Sequence, residues 1–249
     1  MDTHEQYRDT DLAIVRWLAR FGYLTPAQLG RVVWPQAATP ASGTRLAQLA
    51  IARLSAAGLL LVRRSRPCLA NHVGLSRRGA SVLNSQLGVD ACSAKDLLRT
   101  TSRHRDACND TTIALLEDWP TVWTEREIVT GGAPFREFGG KIPDCAAFDP
   151  EVGVLWIEVE NCRRGGRDLD SLANWLHYWA FPDGMSVAFL DSPRDNYPLT
   201  RIRFVLSSPA AATFPRRLKR AMTRYGWSEY DCRNQVEFFD IATGRVALW

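Results

Sequence analysis

The chain has 249 residues, 46% hydrophobic and 23% charged, enough to bury one large core or two ordinary ones and too balanced for a disordered or fibrous protein. No apolar run approaches the roughly 20 residues of a membrane span, and the polar start MDTHEQYRDT is unlike a signal peptide. The expectation is therefore a soluble, cytoplasmic protein with no membrane association. The net charge of +4 conceals a division, because residues 1–100 carry 13 Lys+Arg against 6 Asp+Glu while residues 101–249 carry 18 against 21.

Residues 12–89 hold ten arginines and no acidic residue. Surfaces ordinarily intersperse both signs, so this stretch is expected to face a polyanion. Cys68, Cys92, Cys108, Cys145, Cys162 and Cys232 form no CxxC pair. Their spacing predicts buried free thiols in a reducing compartment rather than a zinc site.

A helix is expected over Asp9–Phe21, with Leu12, Ile14, Val15, Leu18 and Ala19 near helical spacing and Gly22 as its stop. Thr25-Pro26 opens a second helix through Leu29, Val32, Val33 and Trp34, with Thr25 as N-cap. A loop over 35–43 leads to a third helix, Thr44–Ala57. Its Leu46, Leu49, Ala50, Leu54 and Ala57 are expected inward, with Arg45, Gln48 and Arg53 elsewhere. A strand over 59–66, a turn over 67–71, a strand over 72–75 and a helix over 77–87 follow.

Three helices and then a hairpin is the order of a winged helix-turn-helix, expected over residues 1–90, whose third helix would enter the major groove of double-stranded DNA. Arg45, Gln48 and Arg53 are then candidate base or phosphate contacts. Arg63, Arg64 and Arg66 would line the wing, with Arg77 and Arg78 beside it. The other reading is a protein-contacting winged helix with solvated arginines. Residues 91–103 lose the pattern and are expected to be a linker.

Residues 104–249 are expected to form an α/β domain. His104 opens a helix, TVWTEREIV (121–129) reads as a strand, and a Gly/Pro-rich loop covers 131–140. The strand patterns KIPDCAAF (141–148) and VLWIEVENC (154–162) flank the turn DPEVG (149–153). A helix over 168–180, strands over 185–191 and 201–208, a basic helix over 215–225 and a last strand over 236–241 complete the chain.

The hairpin carries the chemistry. With the turn centred near Glu151, antiparallel partners sum to 302, so Asp144 faces Glu158 across the ladder and Glu160 shares their face. Like charges so placed need a raised pKa, a basic side chain or a cation. Hard divalent ions take carboxylate oxygens, and Mg²⁺ or Mn²⁺ there could activate water for phosphodiester cleavage. The same carboxylates could instead pair with Arg163, Arg164 and Arg167. Tyr178 and Tyr197 could act as covalent nucleophiles, although Tyr178 reads more plainly as a half-buried helix aromatic, and His177 falls on the exposed phase. There is no HxH, GxxxxGK[ST] or GxSxG.

Pro143-Asp144 followed by Glu158-Val159-Glu160, after a helix and a strand, resembles the PD-(D/E)XK nuclease superfamily with its αβββαβ core. The resemblance implies Asp144 and Glu158 as metal ligands. It places Glu160 where lysine is usual, as general base or further ligand, and Lys141 falls at the wrong parity to replace it. The whole chain, with its LSRRGASVL helix start, His104, Trp-x-x-x-Glu and ExE, resembles the replication-relaxation family and MobC-type mobilisation relaxases. That resemblance adds Glu125 (or Glu127) and His104 to the candidate site. It implies a Mg²⁺- or Mn²⁺-dependent DNA endonuclease or nickase in plasmid or integrative-element mobilisation, meeting other mobilisation or replication proteins, with homodimerisation open. The rival expectation is a non-catalytic DNA-binding regulator or assembly factor on a degenerate nuclease fold.

Overall fold

The computed structural model describes residues 3–66, 68–162, 164–180, 189–190, 197–227, 235–241 and 243–248. Arg163, Cys232 and most of the strand expected over 185–191 lie outside them. The protein is mixed α/β and forms two compact units, residues 1–113 and 114–249. Among the described residues no helix is long and apolar enough to cross a membrane.

In the first unit, α1 (Thr3–Phe21) ends at Gly22, whose φ of +79° suits glycine, and the chain passes through β1 (Tyr23–Leu24). Thr25 caps α2 (Pro26–Val33) through a reciprocal box with Gln28. The third helix, α3 (Pro40–Ala56), begins four residues before the expected Thr44 because Thr39 and Ser42 form a second such box and Pro40 suits the first turn.

A Cβ on Gly30 would lie 2.7 Å from the Gly43 carbonyl carbon, so α2 and α3 cross at backbone contact. That closeness selects alanines for the buried side of α3. Ala47, Ala50, Ile51 and Leu54 face the core, whereas Leu46 and Leu49, expected inward, are exposed.

The strands β2 (Leu60–Arg64) and β3 (Asn71–Leu75) pair antiparallel from Leu60↔Leu75 to Arg64↔Asn71, and β1 adds to the far side of β3. Then comes α4 (Arg77–Leu87), capped by Ser76. Residues 91–103 are packed rather than free. Ala91, Ala94 and Leu98 are buried, and the Ala94 N–H donates to the Leu75 carbonyl at 2.8 Å.

The next helix, α5 (Arg103–Leu115), expected to open the second domain, folds with the first unit. Asn109 Nδ2 donates to the Tyr23 carbonyl, Gln28 Nε2 donates to the Asp106 carbonyl, and Ile113 joins the core of Ile14, Leu18 and Leu29. The division therefore falls after residue 113 instead of within 91–103.

The second unit runs β4 (Thr121–Thr124), α6 (Glu125–Thr130), β5 (Cys145–Asp149), β6 (Gly153–Glu160), α7 (Gly166–Trp175), β7 (Phe189–Leu190), β8 (Tyr197–Leu206), α8 (Phe214–Thr223), β9 (Val236–Asp240) and β10 (Arg245–Leu248). The sheet order is β10-β9-β8-β6-β5-β4, with β7 on β8. Strands β4, β5 and β6 form an antiparallel meander, and β6, β8 and β9 run parallel. Parallel neighbours need long crossovers, and α7 and α8 lie within these two.

All eight residues of β6 are buried, as befits the middle of a sheet covered on both faces. Trp156, Trp175, Leu172, Ile202, Phe204, Leu218 and Phe238 make the core. The expected strand over 121–129 stops at Thr124, where a capping box with Glu127 turns the chain into α6.

Candidate functional site

The hairpin register fixes the acidic cluster. Asp149 pairs with Gly153 and Cys145 with Ile157, both summing to 302, so the next position up the ladder sets Asp144 against Glu158. Asp144 lies one residue before β5; its N–H donates to the Ile157 carbonyl at 3.0 Å. Its Oδ2 accepts the Val159 N–H at 2.7 Å. The carboxylate thus sits on β6 because it serves a strand donor that β5 no longer reaches.

Glu158 is 4% exposed. Its Oε1 accepts the Trp156 indole N–H at 2.8 Å, while Oε2 lies 3.3 Å from Lys141 Nζ and 3.6 Å from Arg164 Nη2. Burial pushes its carboxyl above the ordinary range; the Lys141 charge opposes this and the Asp144 charge adds to it.

Glu160, 2% exposed, is held differently. Arg164 grips both of its oxygens, Nε at 2.7 and 2.8 Å and Nη2 at 2.5 Å. Burial would weaken the Arg164 charge, but hydrogen bonding to Glu160 and the fields of Glu160, Glu158 and Asp144 outweigh it and raise its pKa. Burial raises the Glu160 carboxyl above the ordinary range while the Arg164 hydrogen bonds and charge oppose it, and a base or ligand role for Glu160 would have to displace that guanidinium.

Lys141, set aside on parity, nonetheless reaches the cluster. It is not part of β5; a local reversal, Phe138 bridging Lys141, carries it back over the sheet. Its ammonium stands 5.5 Å from the Trp175 ring centroid and reaches Glu158. Arg164 is steadied in turn by Arg217 of α8, whose Nη1 donates to the Arg164 carbonyl at 2.7 Å. Lys141 and Arg164, with Asp168, Ser171 and Trp175, line a cleft of about 380 Å³.

The other expected members come from other elements. Glu125 and Glu127 start α6 rather than a strand, and Glu127 Oε2 accepts the Thr124 N–H at 2.9 Å. His104 is on α5, its Nε2 3.5 Å from Cys108 Sγ. Tyr197 packs among Trp123, Phe135 and Phe148.

Tyr178 is 60% exposed rather than half-buried, because the expected helix to residue 180 changes to a π-turn over Leu176–Ala180 and shifts the phase. The same turn gives His177, expected to be idle, the Trp227 indole N–H as a donor at 2.5 Å. Cys145 and Cys108 are buried thiols, but Cys92 and Cys162 are exposed.

In the first unit, Arg45, Gln48, Arg63, Arg64, Arg66, Arg77 and Arg78 are all exposed. On α3, Arg45 and Gln48 share the solvent side with Leu46 and Leu49, the latter 61% exposed. Arg53 is engaged with Asp11 of α1, which lies just outside the acid-free stretch. No family model, curated protein or solved structure matches this chain.

Proposed function

We propose that this is a DNA-binding protein in which a winged helix-turn-helix, the first unit, accompanies a PD-(D/E)XK-like domain that cleaves a phosphodiester with a divalent cation. The order α1-β1-α2-α3-β2-β3, with sheet order β1-β3-β2, supports the winged helix. On that reading α3 offers Arg45 and Gln48 to base edges, and Leu46 and Leu49 suit thymine methyl groups. Arg63, Arg64 and Arg66 would hold phosphates. The order β4-β5-β6-α7-β8-α8-β9, with a meander followed by parallel strands, supports the nuclease-like core.

The observation that carries the catalytic reading is Lys141 Nζ 3.3 Å from Glu158, itself facing Asp144. It supplies from a loop the lysine that the Glu158-Val159-Glu160 pattern lacks. The donor set fits a hard cation: two carboxylates adjoin, and Glu158 Oε2 has only long contacts at 3.3 and 3.6 Å to exchange, unlike the gripped Glu160. Asp144 and Glu158 would hold Mg²⁺ or Mn²⁺, which on binding would acidify a coordinated water and stabilise charge on the phosphate. Lys141 and Arg164 bring positive charge to the cleft that a phosphate would enter. Trp156 and Lys141 hold Glu158 in place. The setting inferred from the family resemblance is mobilisation of plasmid or integrative-element DNA.

A second reading draws on Arg164. With Glu160 gripped and Lys141 beside Glu158, the cluster is already largely neutralised, which favours a non-catalytic DNA-binding regulator. Supercoiled DNA with Mg²⁺ or Mn²⁺ separates the two. Nicking or linearisation is expected, with Lys141→Met and Asp144→Asn each reducing it at least about 100-fold while DNA binding persists. Binding without cleavage under either ion would leave the regulator.

A further inference from the structure

A different cluster in the first unit has no part in that reading. Cys68, in the turn between β2 and β3, His72 on β3 and Asp106 in the first turn of α5 bring one ligand atom each to within 4.8 Å of one another. His72 is 0% exposed, and its Nε2 lies 2.8 and 3.1 Å from the two Asp106 oxygens. The Asp106 backbone is fixed from both sides, its N–H donating to the Ser102 carbonyl and its carbonyl accepting Gln28 Nε2. Cys68 is fixed by its N–H donating to Ser65 Oγ, which also accepts a hydrogen bond from Thr101.

A buried His–Asp pair alone would pass as core architecture. The thiol changes that, because thiolate, imidazole and carboxylate together are the donor set of a borderline divalent ion. His72 Nδ1 is buried with no hydrogen-bond partner, so no bond on that side fixes the tautomer and Nε2, beside Asp106, can turn its lone pair to an ion.

We propose that Cys68, His72 and Asp106 form a Zn²⁺-class metal site that fastens the β2–β3 hairpin to α5, with water as fourth ligand on the half-exposed Cys68 side. Binding exchanges the Cys68 thiol proton for the ion and moves the imidazole proton from Nε2 to Nδ1; the Asp106 carboxylate enters ionised. Burial and the Asp106 carboxylate keep the free thiol protonated, so loading releases a proton and weakens as pH falls. The proton arriving on Nδ1 meets no acceptor, so the affinity is that of an exchangeable site that chelators empty. The ligands come from three distant segments, which is why CxxC spacing is silent about them.

The test is Co²⁺ titration of the reduced, chelator-stripped full chain. A near-ultraviolet thiolate-to-cobalt band is expected, saturating at one equivalent and displaced by Zn²⁺. Cys68→Ser should abolish it, His72→Asn should weaken binding at least about tenfold, and Cys92→Ser and Cys108→Ala should leave it intact. Ions held by carboxylate oxygens alone, as proposed for Asp144 and Glu158, produce no such band, and its loss in Cys68→Ser but not in Cys108→Ala assigns it to this site, so nuclease activity and this site fail independently. Alkylation of the unmutated protein gives a second readout, in which Zn²⁺ should slow modification of Cys68 at least about tenfold and leave exposed Cys92 unchanged. No band with excess Co²⁺, a band surviving in Cys68→Ser, or equal alkylation with and without Zn²⁺ would overturn the proposal.

Discussion

Replacing Arg164 by Met removes the guanidinium that grips Glu160 while keeping most of the side-chain volume. Glu160 is 2% exposed, so the variant leaves a carboxylate in the sheet without its counter-ion. Breaking a buried pair from one side costs about 3–5 kcal/mol. The Arg164 side chain is 24% exposed, which lets water approach and puts the expected loss near the lower end, about 3 kcal/mol. In a unit of this size that is a fall of roughly 6–12 °C in Tm. Glu160→Gln, which leaves Arg164 beside Glu158, should cost only about 1–2 kcal/mol. The double variant should cost little more than Glu160→Gln, because the stranded charge is gone, giving a coupling of about 2–3 kcal/mol. Urea unfolding of the four proteins measures this cycle. Additive losses, or less than about 1 kcal/mol for Arg164→Met, would refute the view that Glu160 is ionised and depends on Arg164.

Glu158 gives a pH prediction. Its folded pKa is raised, so the folded protein holds that proton more tightly than the unfolded chain, and this contribution to stability is lost as pH rises through the folded value. Glu158→Gln should therefore gain on the unmutated protein as pH rises above the ordinary glutamate range, about pH 4, and parallel stability curves would contradict the upward shift. Gly30→Ala should destabilise the first unit by roughly 1–3 kcal/mol, since the new methyl meets backbone of Gly43 and Thr44 at 2.7–2.9 Å; a neutral result would mean α2 and α3 part easily. Arg45→Ala with Arg63→Ala should flatten the dependence of log K for DNA on log salt by about 0.9 for each phosphate no longer neutralised, and an unchanged slope would clear both residues.

The turn over 149–153 made the acidic hairpin legible. Asp149-Pro-Glu-Val-Gly153 allows one tight reversal, Gly153 takes φ +94°, and the register follows by counting. The order of helices and strands was legible for the same reason, since caps such as Thr25-Pro26 and stops such as Gly22 act locally. Lys141 was not, because parity counting assumes a strand that continues before Asp144, and the chain instead doubles back at Phe138. The phase of α3 was lost because alanine carries little weight in a hydrophobic count although it packs best where helices touch at glycine. Glu125 and Glu127 could have been read correctly, for Thr124-x-x-Glu127 is a helix-start signature, as could the Trp156–Glu158 contact from their shared strand face.

The hydrogen bond from the Val159 amide to Asp144 bears on how descent would treat this site. An aspartate that also finishes a strand is retained by selection for folding alone, even in a lineage whose chemistry has lapsed. Lys141, perched on a reversal and held by Glu158 and an indole face, enjoys no such protection. Among relatives, drift at the lysine would therefore record the loss of activity long before drift at the aspartate.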